Sequence, residues 1–198
     1  IYFRLSILFE RILVEIKNYE ISELAIVEAG IGYGDTFTYL SCIAEKLNLK
    51  IIGFDSFCGF PEPKTENDQR KEGGETKKGQ WNVNSKKAIE RKLINSGVSK
   101  SFIKNNVVLV KGYFEDTLPL FDKDQKIIFL HLDVDLYSSY KTCLENLWNS
   151  VVHNGMVVFD EYHNPKWAGA KIAIDEFFAD KNIKVNVDKF TGRGFVIK

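Results

Sequence analysis

Residues 24–35 read Leu24-Ala25-Ile26-Val27-Glu28-Ala29-Gly30-Ile31-Gly32-Tyr33-Gly34-Asp35. A short apolar run ends in an acid, glycines follow at every second position, and Asp35 is suited to cap a helix. Phe37, Leu40, Ile43, Ala44 and Leu47 supply the apolar face of that helix. Lys50 to Phe54 is a second apolar run, and it ends in Asp55. Strand, glycine turn, helix and strand in this order require two parallel strands joined by a right-handed crossover.

The alternation continues outward. Ser85 is placed to cap a helix that carries Ala88, Ile89 and Leu93 and stops near Gly97. Asn106 to Val110 reads as a third strand and Ile127 to Leu132 as a fourth. Tyr140, Leu144, Leu147, Trp148 and Val151 mark a helix, Met156 to Phe159 a fifth strand, and Ala170, Ala173, Ile174, Phe177 and Phe178 a further helix. Ile183 to Val187 and Gly194 to Ile197 read as two strands around a turn at Lys189 to Arg193. Upstream, Leu5, Leu8, Phe9, Ile12, Leu13 and Ile16 predict an amphipathic first helix. Together these elements describe an α/β fold: a mostly parallel seven-stranded sheet with helices on both faces and a C-terminal antiparallel hairpin. Pro61 to Trp81 breaks the pattern, with prolines, glycines and charges but no apolar period. It predicts a long loop over about residues 61–84, expected as an active-site cover, with simple disorder as the alternative.

A length of 198 residues suffices for one α/β domain over residues 1–198 and leaves little room for a second. Lys plus Arg and Asp plus Glu both total 27, so the net formal charge is zero and nothing favours a nucleic-acid partner. Arg4, Glu10, Arg11 and Glu15 interrupt the first apolar segment, which argues against a membrane span or signal peptide; the expected location is cytoplasmic. Cys42, Cys58 and Cys143 are widely spaced and suggest neither a disulfide framework nor a zinc site.

In a sheet of this type ligands bind beyond the carboxyl ends of the strands. Glu28, Asp55, Gly112, Asp133 and Asp160 each follow an apolar run. The glycines let the backbone pass close to a bulky ligand, although an ordinary tight turn has the same spacing. Glu28 ahead of them would repel a pyrophosphate, which disfavours a nicotinamide dehydrogenase. The same carboxylate can bind the ammonium of S-adenosylmethionine, directly or through water. Asp55 is placed for ribose hydroxyls or, alternatively, to cap the turn from Ser56 to Gly59. Gly112 and Tyr113 suit the edge and face of an adenine, with a core role for Tyr113 as the alternative.

Asp133 and Asp135 lie two apart at one strand end, and Asp160 and Glu161 end the next strand. Stacked carboxylates in a partly dry cleft are costly without a cation between them. An all-oxygen group of this kind suits Mg²⁺ or Ca²⁺; solvated strand-end caps without metal are the alternative. His163 could take a proton from a substrate hydroxyl or simply anchor its loop. His131, inside a strand, reads as a core histidine, and His153 belongs to the opposite rim. His131-Leu132-Asp133 with a later histidine also imitates the two-histidine, one-carboxylate set of iron(II) oxygenases.

Four ordered blocks carry a family likeness: Asp55-Ser56-Phe57 with Gly59 and Pro61; Gly112-Tyr113-Phe114 with Asp116-Thr117-Leu118-Pro119; Leu132-Asp133-Val134-Asp135-Leu136-Tyr137-Ser138-Ser139; and Asp160-Glu161-Tyr162 with Gly169 and Glu176-Phe177. From about Glu28 to Phe178 the chain resembles the macrocin O-methyltransferase family, the TylF/MycF type. The resemblance implies a Rossmann-like class I methyltransferase fold, S-adenosylmethionine as methyl donor, Mg²⁺ or another divalent cation, and a sugar hydroxyl as acceptor. It implies metal ligands at Asp133, Asp160 and Glu161, the last standing where Asp is common, with Asp135 in support. The implied donor site comprises Glu28, Gly30, Gly32, Gly34, Thr36, Asp55, Ser56, Gly112, Tyr113 and Asp133.

The expected reaction is in-line methyl transfer to a hydroxyl of a glycan, nucleotide sugar or glycosylated natural product, the proton leaving to His163 or Asp133. The expected partners are a small-molecule or glycan substrate, without nucleic acid or a membrane span, with a homo-oligomer left open. A non-catalytic glycan- or nucleotide-binding module on the same fold is the alternative from another functional class.

Overall fold

The computed structural model describes residue 14 and residues 16–198. Apart from residues 14 and 16, the helix expected over Leu5 to Ile16 lies outside them. The described elements are β1 (Leu24–Ala29), α1 (Asp35–Leu47), β2 (Lys50–Asp55), α2 (Lys86–Asn95), α3 (Lys100–Asn106), β3 (Val107–Lys111), α4 (Phe114–Thr117), β4 (Lys126–Leu132), α5 (Tyr137–Leu147), β5 (Val151–Phe159), α6 (Ala168–Phe178), β6 (Asn186–Val187) and β7 (Gly194–Ile197), with short 3₁₀ turns between them.

The strands form one sheet in the order β3-β2-β1-β4-β5-β7-β6. Strands β1 to β5 pair in parallel, and β7 runs antiparallel to both β5 and β6. This is the Rossmann-like arrangement of class I methyltransferases. Every residue of β1 is buried, as a central strand covered on both faces requires. Alternate residues feed separate layers. Ala25, Val27 and Ala29 join the cluster containing Tyr140, Leu144, Ala173 and Phe178 of α5 and α6. Leu24 and Ile26 join the cluster containing Phe37, Ile43, Ile89 and Phe102 of α1, α2 and α3.

The register positions the site. Phe54, Ala29, Leu132 and Phe159 are successive cross-strand partners and form one row across β2, β1, β4 and β5. The next residue on each strand is therefore at the carboxyl rim: Asp55, Gly30, Asp133 and Asp160. Strand order reverses between β1 and β4, where such sheets open a ligand crevice.

Several local expectations change. Gly34, not Asp35, occupies the N-cap of α1, and Asp35 begins the helix. Strand β5 starts at Val151, well before the Met156 run, so the exposed His153 lies within the strand. Asn154 bends it with φ +61°, and the β4–β5 register shifts between Ile127 and Phe129. Helix α3 had no apolar period to reveal it: Ser99 caps it and Phe102 is its one buried residue. The expected strand from Ile183 reduces to Asn186–Val187.

Candidate active site

The glycine turn after β1 is closed by side chains from three other segments. Asp55 Oδ2 accepts hydrogen bonds from the N–H groups of Ile31 (2.9 Å) and Gly32 (3.2 Å), and Oδ1 accepts from Phe57 (2.7 Å). Asp55 thus caps two turns while still lining the cavity. Asn84 Nδ2 donates to Gly32 O at 2.9 Å. Lys92 Nζ donates to Tyr33 O at 2.8 Å and pairs with Asp35 at 2.5 Å. Gly30 has φ +83°, and a Cβ there would lie 1.8 Å from the carbonyl oxygen of Asp133. No other residue type lets β1 and β4 meet in this way. Ser56 Oγ donates to Gly59 O at 2.7 Å, holding the next turn, while Gly112 N–H donates to Asp55 O at 3.1 Å.

The acids meet because the parallel ladder continues one step past the strands: Asp133 N–H donates to Ala29 O and Asp160 N–H to Leu132 O, both at 3.0 Å. Asp133, Asp160 and Glu161 each present one oxygen, and these oxygens all lie within 4.8 Å of one another. Glu161 is buried and accepts from Tyr140 Oη at 2.5 Å, while Arg193 pairs with Asp160. Burial and the charge of Asp160 push the Asp133 carboxyl up from its ordinary value. Burial and Asp133 push Asp135 up to about 8. Glu161 is driven well above the usual range by burial and by Asp133, Asp135 and Asp160. Among the described residues neither Asp133 nor Glu161 has an ion-pair partner, and an oxygen-only donor set of this spacing fits a hard divalent cation.

The two halves open into one cavity of about 400 Å³. Gly30, Gly32, Gly34, Thr36, Asp55, Ser56, Gly112 and Tyr113 line one side, and Asp133, Asp135, Asp160 and Glu161 the other. The long loop supplies a wall through Pro61, Lys64, Asp68 and Trp81. Asp68 pins it, its buried carboxylate accepting from the N–H groups of Lys64 (2.8 Å) and Thr65 (3.1 Å) and from Ser138 N–H (2.8 Å) and Oγ (2.6 Å) at the start of α5. Trp81 packs edge-on to Tyr33, and the Lys166 ammonium lies over Trp81 and Trp167 at 5.2 and 5.3 Å from the ring centroids.

A family model described as Macrocin-O-methyltransferase (TylF) matches residues 5–197. The chain belongs to the macrocin O-methyltransferase family. It is accordingly an S-adenosylmethionine-dependent O-methyltransferase. Among solved structures, the calicheamicin methyltransferase CalS11 superposes with a TM-score of 0.79 at 22% identity, over 97% of this chain and 76% of that one. The O-methyltransferase NovP gives 0.78 at 21%, over 98% and 79%. An apo structure of CalS11, there described as a TDP-rhamnose 3'-O-methyltransferase, gives 0.68 at 20%, over 98% and 80%. At these identities the likeness speaks for the fold. A comparison with curated proteins gave no match.

Within this macrocin O-methyltransferase fold, two expected site residues stand apart from the cavity. Glu28 and His131 are register partners on β1 and β4, and Glu28 Oε1 meets His131 Nδ1 at 2.8 Å inside the core. Glu28 Oε2, also buried, has no hydrogen-bond partner among the described residues. Burial drives Glu28 up against the pull of His131. His131 is pushed down by burial but raised further by its bonds to Asp160 and Glu28. Against its own burial, Asp160 is held below the usual carboxylate range by His131 and Arg193. His163 is exposed, packs its ring against Tyr162 at 4.9 Å, and does not line the cavity. The turn after β5 sends Glu161 inward and His163 outward. A two-histidine, one-carboxylate iron site therefore does not assemble from His131, Asp133 and His163.

Sequence reasoning also missed contributors. Asn84 and Lys92 clamp the glycine turn, Tyr140 holds Glu161, and Arg193 holds Asp160. Tyr140 had a signal, a phenol at a buried helical position that needs a partner. The others had none in local pattern.

Proposed function

We propose that this protein methylates a hydroxyl of a sugar ring, in a glycan, nucleotide sugar or glycosylated natural product, and that a divalent cation assists. The observation that carries the reading is one cavity lined on one side by the glycine turn with Asp55 and Tyr113 and on the other by three clustered oxygen ligands. CalS11, of the same fold, is described as acting on TDP-rhamnose, which favours a sugar over a phenol or a nucleic-acid base.

Gly30, Gly32, Gly34, Thr36, Asp55, Ser56, Gly112 and Tyr113 bind the methyl donor in this reading. The turn admits it close to the backbone, and Tyr113 offers a ring face at the edge of the sheet. Asp133, Asp160 and Glu161 hold the cation, Mg²⁺ by preference; when bound it would orient acceptor oxygens and lower the pKa of the attacking hydroxyl. Asp133 takes the hydroxyl proton as the new C–O bond forms and the sulfonium C–S bond breaks, releasing S-adenosylhomocysteine. Asp135, under the positive influence of Lys166, supports the ligands without joining them. The loop around Trp81 excludes water and aligns the acceptor. His163, outside the cavity, has no part in the proton transfer.

The test supplies S-adenosylmethionine with TDP-rhamnose and a panel of neutral glycosides and follows S-adenosylhomocysteine release with Mg²⁺ and with EDTA. Turnover on a sugar that EDTA stops and Mg²⁺ restores is the expected result. Undiminished turnover in EDTA overturns the cation part. Donor binding by calorimetry with no turnover on any sugar counts against the acceptor class.

A further inference from the structure

The cluster that would hold a cation already contains one. Arg193 reaches Asp160 from the β6–β7 hairpin, and the two side chains are only 20% exposed each. The hairpin turn is fixed by its own bonds. Asp188 Oδ1 accepts from the N–H groups of Phe190 (3.1 Å) and Thr191 (2.8 Å), and Asp188 N–H donates to the carbonyl of Arg193 at 2.9 Å. Gly194 seats the hairpin beside the acids, since a Cβ there would fall 2.6 Å from the Tyr162 ring, next to Glu161. Among the described residues, the ion pairs made by Asp133, Asp160 and Glu161 are those of Asp160 with Arg193 and, at 3.5 Å, with His131. His131 bridges Asp160 to Glu28 from within the core, whereas Arg193 lines the cavity itself.

We propose that Arg193 is the resident counter-ion of the acid cluster: it neutralises Asp160 when no divalent cation is bound and competes with that cation for the same carboxylate. The C-terminal hairpin thereby sets the cation affinity of the site. This rests on the cation reading given above. The physical basis is that a guanidinium in a half-buried setting repels a dication placed within a few ångströms, while relieving the mutual repulsion of the acids in the cation-free protein. Arg193 is a positioning residue in this scheme, acting through Asp160.

The experiment compares the wild type with Arg193→Met and Arg193→Lys by calorimetric titration with Mn²⁺ alone and by thermal unfolding in EDTA and in rising Mn²⁺. For Arg193→Met the Mn²⁺ dissociation constant should fall about tenfold, as removal of one nearby unit charge implies. Its melting temperature should drop in EDTA, with the gap to wild type narrowing as Mn²⁺ is added, because ligand binding stabilises the folded state by mass action. Arg193→Lys, which keeps the charge without the planar fork, should show the same signs at smaller size and carries the test if the Met variant cannot be purified. Binding by Arg193→Met but not by wild type also supports the proposal. Wild-type binding with an unchanged or weaker constant in the variants overturns it and leaves the cation site standing. No binding by any of the three overturns both.

Discussion

On the β1–β2 side of the cavity, polar groups of the turn are matched by neighbours: Asp55 closes the glycine turn from one strand end, Asn84 from the end of the long loop and Lys92 from α2. On the β4–β5 side, four carboxylates stand together against the guanidinium of Arg193, the buried His131 and the nearby Lys166. One side is a finished surface waiting for a molecule of complementary shape. The other gathers more carboxylates than cationic side chains, as the proposed cation reading requires. The difference teaches that backbone geometry and electrostatic demand can be separated on one sheet; in the proposed function the glycine side supplies shape for the donor and the acid side the chemistry.

Breaking the acid side alone should cost the most activity. Asp133→Asn should reduce methyl transfer by about 10³-fold, the usual scale for losing a positioned proton acceptor, while calorimetric affinity for S-adenosylmethionine stays near wild type. A parallel loss of donor binding would show that the two sides are not separable. Gly30→Ala strikes the joint between them. A methyl group forced onto the Asp133 carbonyl at positive φ should destabilise the fold by about 3 kcal/mol or more in urea denaturation, and a smaller loss would mean that β1 and β4 can move apart.

The loop wall offers a finer cut. Asp68→Ala removes a buried acceptor of several hydrogen bonds, for a loss of about 2 kcal/mol. It should raise the KM for acceptor more than that for donor, because Asp68 ties the loop to α5 and not to the glycine turn. Tyr140→Phe is the mildest change. It deletes a hydroxyl bonded to Leu132 O (2.9 Å) and to Glu161 and should cost about 1 kcal/mol in thermal unfolding. Any loss of function should fall on cation dependence and not on donor affinity.

Most of the cavity outline was legible because it follows from local rules. Apolar runs that end in Asp55, Asp133 and Asp160, with glycines at 30, 32 and 34, reveal a parallel sheet and its binding rim before any contact is known. Illegible were partnerships over long sequence separations that leave no period. Arg193 meets Asp160 across the hairpin, Asn84 meets the glycine turn across the loop, and Glu28 turns to His131 instead of the cavity because their register pairs them inside the core. For His163 the sequence left proton acceptor and loop anchor both open, and two residues along a turn are enough to send it away from the cavity that Glu161 lines. Helix α3 escaped because a single buried side chain has no spacing to measure.

The contact between Gly30 and Asp133 has a mechanical consequence. A displacement reaction in which three atoms must fall on a line tolerates little play, and rate falls steeply with sub-ångström error in alignment. In the proposed function the part that grips the donor and the part that addresses the acceptor bear on one another at Gly30 and the Asp133 carbonyl, backbone against backbone. The working gap is thus gauged by backbone and not by side-chain rotamers.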